Sequence, residues 1–193
     1  MKYIIEGIDR LGKSTLTKSI MDYCGYHLVV HYDKPQLLKH YEELSKKIKA
    51  SDPEIRKFIG MTDPLQLYQK DVNEIMFEMI KTPRLNIIFD RGHLGECVYA
   101  PLYRKYSGDY VFDIEAKVPE GTHVKLILLT TSNFDICVDD GESFNFDNKE
   151  AEQQLFINAF NRSELPKVMV DVYDPKTGTF KTPEAILNEV LRG

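Results

Sequence analysis

Residues 2 to 24 read KYIIE GIDRLGKST LTKSIMDYC: a short apolar run, a glycine-punctuated loop, then a helical pattern. The loop Gly7-Ile8-Asp9-Arg10-Leu11-Gly12-Lys13-Ser14, with Thr15 following, satisfies G-x-x-x-x-G-K-[ST] between a strand and a helix. Glycines let backbone N–H groups curl around phosphate oxygens, and the new helix directs its positive end at them. Lys13 has the reach for β and γ phosphates, and Ser14 offers a hydroxyl to Mg²⁺. The stretch thus predicts a cradle for ATP phosphates made of residues 7 to 15. Arg10, inside the loop, can neutralise charge on a phosphoryl group in transfer or point to solvent. Asp9 can accept from a sugar hydroxyl or stabilise the turn.

Outward from the loop, four further apolar runs follow: His27–Tyr32, Leu85–Asp90, Val124–Thr130 and Val168–Tyr173. With Lys2–Glu6 they make five strands of little alternation, separated by helical stretches, which predicts a parallel sheet covered on both faces. The spacing predicts helices over 13–24, 35–59 (one or two), 65–80, 94–106 and 150–160. The polar, acidic segment 131–148 reads as a lid. The expected architecture is one α/β domain over 1–193, a three-layer P-loop NTPase fold with a five-stranded parallel sheet.

The third run ends in Asp90-Arg91. Ligands of open α/β sheets bind at the carboxyl ends of strands, so this pair should face the loop. Asp90 can hold a Mg²⁺-bound water, and Arg91 can grip a phosphate with two parallel hydrogen bonds. Together, Ser14 and Asp90 are the candidate metal residues. His93 and Glu96, one turn apart, could face an acceptor or pack as ordinary helix residues. His31 reads as structural.

The remaining composition narrows the class. The 193 residues carry a formal charge of -5, which disfavours a footprint for polymeric nucleic acid but permits a local cationic site. Cys24, Cys97 and Cys137 are odd in number and widely spaced, which fits a reducing compartment and a cytoplasmic protein. No run reaches membrane-spanning length, and the N-terminus enters a strand with no signal-peptide pattern, so no membrane role is expected.

The loop, preceded by Glu6, resembles that of thymidylate kinases, in particular the subgroup with an arginine inside the loop and no arginine-rich lid. Consistent with this, no arginine lies between Arg104 and Arg162. Asp90-Arg91 is similar to that family's Asp-Arg motif, Tyr99 to a later aromatic of it, and Tyr68 to an aromatic that stacks on the base. The resemblance implies Mg-ATP, transfer of its γ-phosphoryl group to a deoxynucleoside monophosphate, and a homodimer as an open alternative. It gives Asp9 the sugar 3'-hydroxyl, Arg10 the phosphates in transfer, and Arg91 the acceptor phosphate; Glu96 and Gln69 join the candidate acceptor contacts. The chain departs from the family at Asp33-Lys34-Pro35, where Lys34 would supply the cation. It departs again at Asp71-Val72, in place of the arginine that recognises thymine, and at Gly92-His93-Leu94-Gly95-Glu96. Such divergence resembles virus-encoded members more than cellular ones. Tyr68-Gln69 also resembles the aromatic-Gln pair of deoxynucleoside kinases, in which Asp33 would serve as base toward a 5'-hydroxyl; a modified pyrimidine acceptor is a related alternative. An ATP-binding switch without an acceptor is the reading from another class.

Overall fold

A computed structural model of the chain describes residues 1–25, 27–31, 64–138 and 148–193, together with a few positions between 43 and 50. Strand β1 (Lys2–Glu6) is buried along its whole length. It lies in the middle of a five-stranded sheet of order β2-β3-β1-β4-β5, with β2 at Leu28–His31, β3 at Ile87–Asp90, β4 at Val124–Thr130 and β5 at Lys167–Asp171. Every pairing is parallel. Burial on both faces explains why β1, β3 and β4 read as continuous apolar runs, whereas the edge strands β2 and β5 are only partly covered.

The register decides where chemistry can occur. Asp90 lies beside Ile5 on one side and His31 on the other. The loop that leaves β1 and the Asp-Arg pair that ends β3 therefore emerge at one edge of the sheet.

Helices flank the sheet: α1 (Lys13–Cys24), α2 (Pro64–Lys81), α3 (Leu94–Tyr99), α4 (Tyr110–Glu115), α5 (Lys149–Arg162) and α6 (Pro183–Arg192). They pack in pairs, α1 with α6, α2 with α4 and α3 with α5. Ile4, Ile5, Phe77, Phe89 and Phe156 are fully buried in the core between helices and sheet. Each such side chain contributes about 1.5–3 kcal/mol by leaving water.

Several element boundaries differ from expectation. The helix expected over 94–106 is α-helical only to Tyr99 and continues as a π-turn over Ala100–Arg104. Pro101 has no amide hydrogen to give to the preceding turn, so the α pattern cannot continue. The third and fifth strands are shorter than their apolar runs, and a two-stranded hairpin, β6 (Tyr173–Asp174) with β7 (Thr179–Phe180), follows the fifth. Helices α4 and α6 carry no counterpart in the sequence reading, and the helix or helices expected over 35–59 fall almost wholly outside the described residues. The expected lid is tied to α5 at its start: the Thr131 amide donates to Gln153 Oε1 at 2.8 Å and Gln153 Nε2 donates back to Thr131 O at 2.9 Å. Residues 139–147 lie outside the described residues.

Candidate active site

The phosphate loop depends on backbone conformations that side chains resist. Gly7 has φ 136°, and a Cβ there would meet the Leu129 carbonyl oxygen at 2.5 Å, so only glycine fits between β1 and β4. Gly12 (φ 79°) opens α1, accepting from Leu16 N at 2.9 Å. Arg10 takes a left-handed φ of 71° without being glycine, a cost of about 1–2 kcal/mol that loops tend to bear at functional positions. Ile8 and Leu11 bury their side chains in the core, leaving only their backbone to face the cradle. Ser14 and Thr15 are exposed at the start of α1.

Lys13 is buried and donates to the carbonyls of Ile8 at 2.7 Å and Gly7 at 3.1 Å, with Asp9 Oδ1 at 3.8 Å. Burial and the neighbouring Arg91 charge push its ammonium down to about 8, against the pull of Asp9, Asp90 and Glu6. Arg91 Nη2 donates to Asp9 Oδ1. Burial works to raise Asp9, but the charges of Arg91 and Lys13 outweigh it and hold the carboxyl below its ordinary value. On Arg91 burial is likewise outweighed by Asp9, and its pKa rises.

Ser14 Oγ donates to Asp90 Oδ2 at 3.3 Å, and His31 Nδ1 lies 3.2 Å from the same oxygen. A carboxylate oxygen only accepts, so the ring donates its Nδ1–H and fixes the carboxylate's orientation. His31, expected to be structural, thus stands against Asp90 and braces it. The Ser14 hydroxyl and Asp90 carboxylate are hard oxygen donors that fit Mg²⁺, an ion usually held by one or two protein oxygens plus phosphates and water. Among the described residues, no three His, Cys, Asp or Glu side chains cluster as a closed metal cage.

The expected acceptor residues divide. Arg91 and Tyr99 join the site: Tyr99 lies within the field of Glu152 of α5, and both are felt by Arg91. Burial, then Glu152, pushes the Tyr99 phenol well up. Glu152 itself, raised chiefly by burial, lies within the fields of Asp9, Arg91 and Lys13. Nothing in its local sequence sets it apart from the neighbouring acids of α5, so only the fold reveals it.

Glu96 is placed differently from expectation. It is buried, and its carboxylate accepts from Tyr106 at 2.8 Å, Tyr110 at 3.0 Å and Arg104. Three donors of its own chain occupy it, so it ties down the turn after α3. Tyr68 and Gln69 are half-buried on the first turns of α2, two turns before Met76, whose sulfur stands behind Gly92. Asp33 and Lys34 lie outside the described residues. His93 is fully buried, with Nε2 2.7 Å from Glu115 Oε2. Cys97, pushed up to about 12 mainly by burial, is no nucleophile.

A parallel sheet with a glycine-lysine-serine loop after its middle strand and an aspartate at the end of the neighbouring strand is the P-loop NTPase fold. Solved structures share it. The chain is similar to the YorR protein of Bacillus subtilis in complex with phosphorylated GDP (TM-score 0.59, 16% identity, covering 100% of this chain and 94% of that one). It is similar to thymidylate kinase from Ehrlichia chaffeensis (TM-score 0.59, 13% identity, 100% and 97% covered). It is also similar to deoxyadenosine kinase from M. mycoides with bound dATP (TM-score 0.57, 19% identity, 100% of both). At these identities the likeness is one of fold. No family model matches the chain, and no curated protein matches it in sequence. No helix among the described residues is long and apolar enough to cross a membrane.

Proposed function

We propose that the chain is an ATP-dependent kinase that transfers the γ-phosphoryl group to a small nucleotide, a deoxynucleoside monophosphate with a thymidylate-like pyrimidine. The observation that carries this reading is the Arg91–Asp9 ion pair. It sets a guanidinium, free of any duty toward the apolar core, beside the phosphate loop and one residue after Asp90.

In this reading the loop backbone and Lys13 hold the β and γ phosphates, and Arg10 neutralises charge that grows on the group in transfer. Ser14 and Asp90 would hold Mg²⁺, which would supply further neutralisation of phosphate charge. Arg91 holds the acceptor phosphate as a fork, while Asp9 takes the sugar hydroxyl. A monophosphate oxygen is already anionic, so the reaction needs alignment more than a general base. Tyr99 and Glu152 close the acceptor side, and Tyr68 with Gln69 on α2 face the base. The chain acts as one domain, with a homodimer as the alternative to a monomer.

The test is a panel of deoxynucleosides and their monophosphates with Mg-ATP, products separated by chromatography. New diphosphates from monophosphates support the proposal. Phosphorylation of nucleosides alone would sink it in favour of a nucleoside kinase. ADP and phosphate formed at one rate whatever acceptor is added would indicate an ATPase switch.

A further inference from the structure

The mechanism above makes no use of Glu6, yet it is among the most deeply buried charged side chains in the molecule. It ends β1 at 1% exposure, immediately before the phosphate loop. An unpaired carboxylate there would cost several kcal/mol, so its partners show what it is for. Glu6 Oε1 accepts from Leu94 N at 2.9 Å, and Gly92 and Gly95 lie so close that a Cβ on them would stand 3.2 Å and 4.0 Å from the carboxylate oxygens. All three residues belong to the turn that follows Arg91.

That turn is conformationally expensive. Arg91 sits at φ 74°, in the left-handed region, with its amide donating to Ile5 O at 2.9 Å. Gly92 fits against Glu6 so closely that a Cβ would meet Ile4 Cγ2 at 2.6 Å and Glu6 Oε1 at 3.2 Å. The left-handed residue points its guanidinium back over the strand end to Asp9, whereas ordinary helical or extended backbone would send it elsewhere.

We propose that Glu6 is a positioning residue for the acceptor end of the site, binding the N–H of Leu94 and packing against Gly92 and Gly95 so that the strained turn holds Arg91 against Asp9. Glu6 touches no reacting atom in this account. It is the tie between the strand that carries the phosphate loop and the loop that carries the acceptor arginine. Its kinetic consequence rests on the function proposed for Arg91, whereas its geometric consequence does not.

The experiment compares Glu6→Gln and Glu6→Ala in the full chain. Glutamine keeps the shape and one accepting oxygen but turns an NH₂ group toward the backbone of the turn, so the turn loosens without a cavity. The first readout is the side-chain ¹⁵Nε–H resonance of Arg91, assigned by its loss in Arg91→Lys. A shifted or exchange-broadened signal in Glu6→Gln supports the tie; an unchanged one overturns it. The second readout is steady-state kinetics. Misplacement of a clamping group by about 1 Å costs on the order of 10²-fold. Glu6→Gln should therefore lower kcat/KM for the acceptor by roughly tenfold or more, with kcat/KM for ATP changed far less and Glu6→Ala worse than Glu6→Gln. In an Arg91→Ala background, replacing Glu6 should have no further effect on acceptor kinetics. A thermal destabilisation with unchanged acceptor kinetics, or a loss confined to ATP, would overturn the proposal. If Arg91→Ala itself leaves the acceptor kinetics intact, the function assigned to Arg91 fails, and the Arg91 resonance still decides the role of Glu6.

Discussion

Arg10 and Lys13 share a loop but sit in opposite environments, and each makes its own prediction. Arg10 is exposed, and its backbone bears left-handed strain. Arg10→Ala keeps that strain and removes the charge, so kcat should fall by about 10²–10³-fold with little change in unfolding free energy. Arg10→Gly should lose the same activity while matching or exceeding wild-type stability, because glycine takes φ 71° without cost. Unchanged turnover in either variant would remove the assigned role. Lys13, in contrast, is buried and held down to about 8. A phosphate cradle needs the ammonium form, and kcat/KM reports the free enzyme. So kcat/KM for ATP should be level below pH 7 and fall tenfold per unit above about pH 8; a flat profile to pH 9.5 would contradict it. These residues were legible in the sequence because the loop's chemistry is carried by consecutive positions. Glu152 and Glu6 were not, because their meaning comes from what packs against them: Tyr99 on another helix and the turn after Arg91.

Among elements, those with an apolar run buried on both faces were readable, and those defined by a cap or a hydrogen-bond defect were not. The middle strands β1 and β4 lie at their expected positions. The break at Pro101 was visible as a proline, yet its outcome, a π-turn rather than a stop, depends on Glu96 collecting Tyr106, Tyr110 and Arg104 beyond it. Helix α6 carries its start signal in sequence: Thr182-Pro183-Glu184 is a cap, a first-turn proline and a first-turn acid. In the structure Thr182 Oγ1 accepts from Ala185 N at 3.2 Å, and Ile186, Leu187 and Val190 face the core against α1 and β5. Thr182→Ala should therefore destabilise the fold by about 1 kcal/mol, read as a lower urea midpoint with unchanged slope. Activity at low urea should be unaltered, since the Thr182 hydroxyl is taken up by Ala185 N within its own helix. Thr182→Ser should restore most of the loss.

On the scale of the whole molecule, the site is assembled from distant chain segments, and one buried carboxylate joins three of them away from the chemistry. Glu115 ends α4. It binds His93 Nε2 at 2.7 Å, Ser163 Oγ at 2.7 Å and Glu164 N at 2.7 Å, linking the turn after Arg91 to the end of α5. His93 adds an edge contact to Phe77 of α2, with ring centroids 5.1 Å apart. Burial works to raise the Glu115 carboxyl, but the His93 bond and charge, then the Glu164 and Ser163 bonds, bring it below its ordinary 4.5. A carboxyl whose pKa is lower folded than unfolded adds stability that is complete above the unfolded value and lost as pH falls through the folded one. The unfolding free energy should thus decline below about pH 4.5, with Glu115 among the groups responsible. Glu115→Gln removes this titration but keeps an accepting oxygen. Its stability should be lower than wild type at pH 7 and fall less steeply between pH 5 and 3. Glu115→Ala strands a buried histidine and should cost about 3–5 kcal/mol at neutral pH. Denaturant titrations of the three proteins across that range give the answer: parallel curves for wild type and Glu115→Gln would show that the carboxylate is not what binds α4, the Arg91 turn and α5 into one acid-sensitive unit.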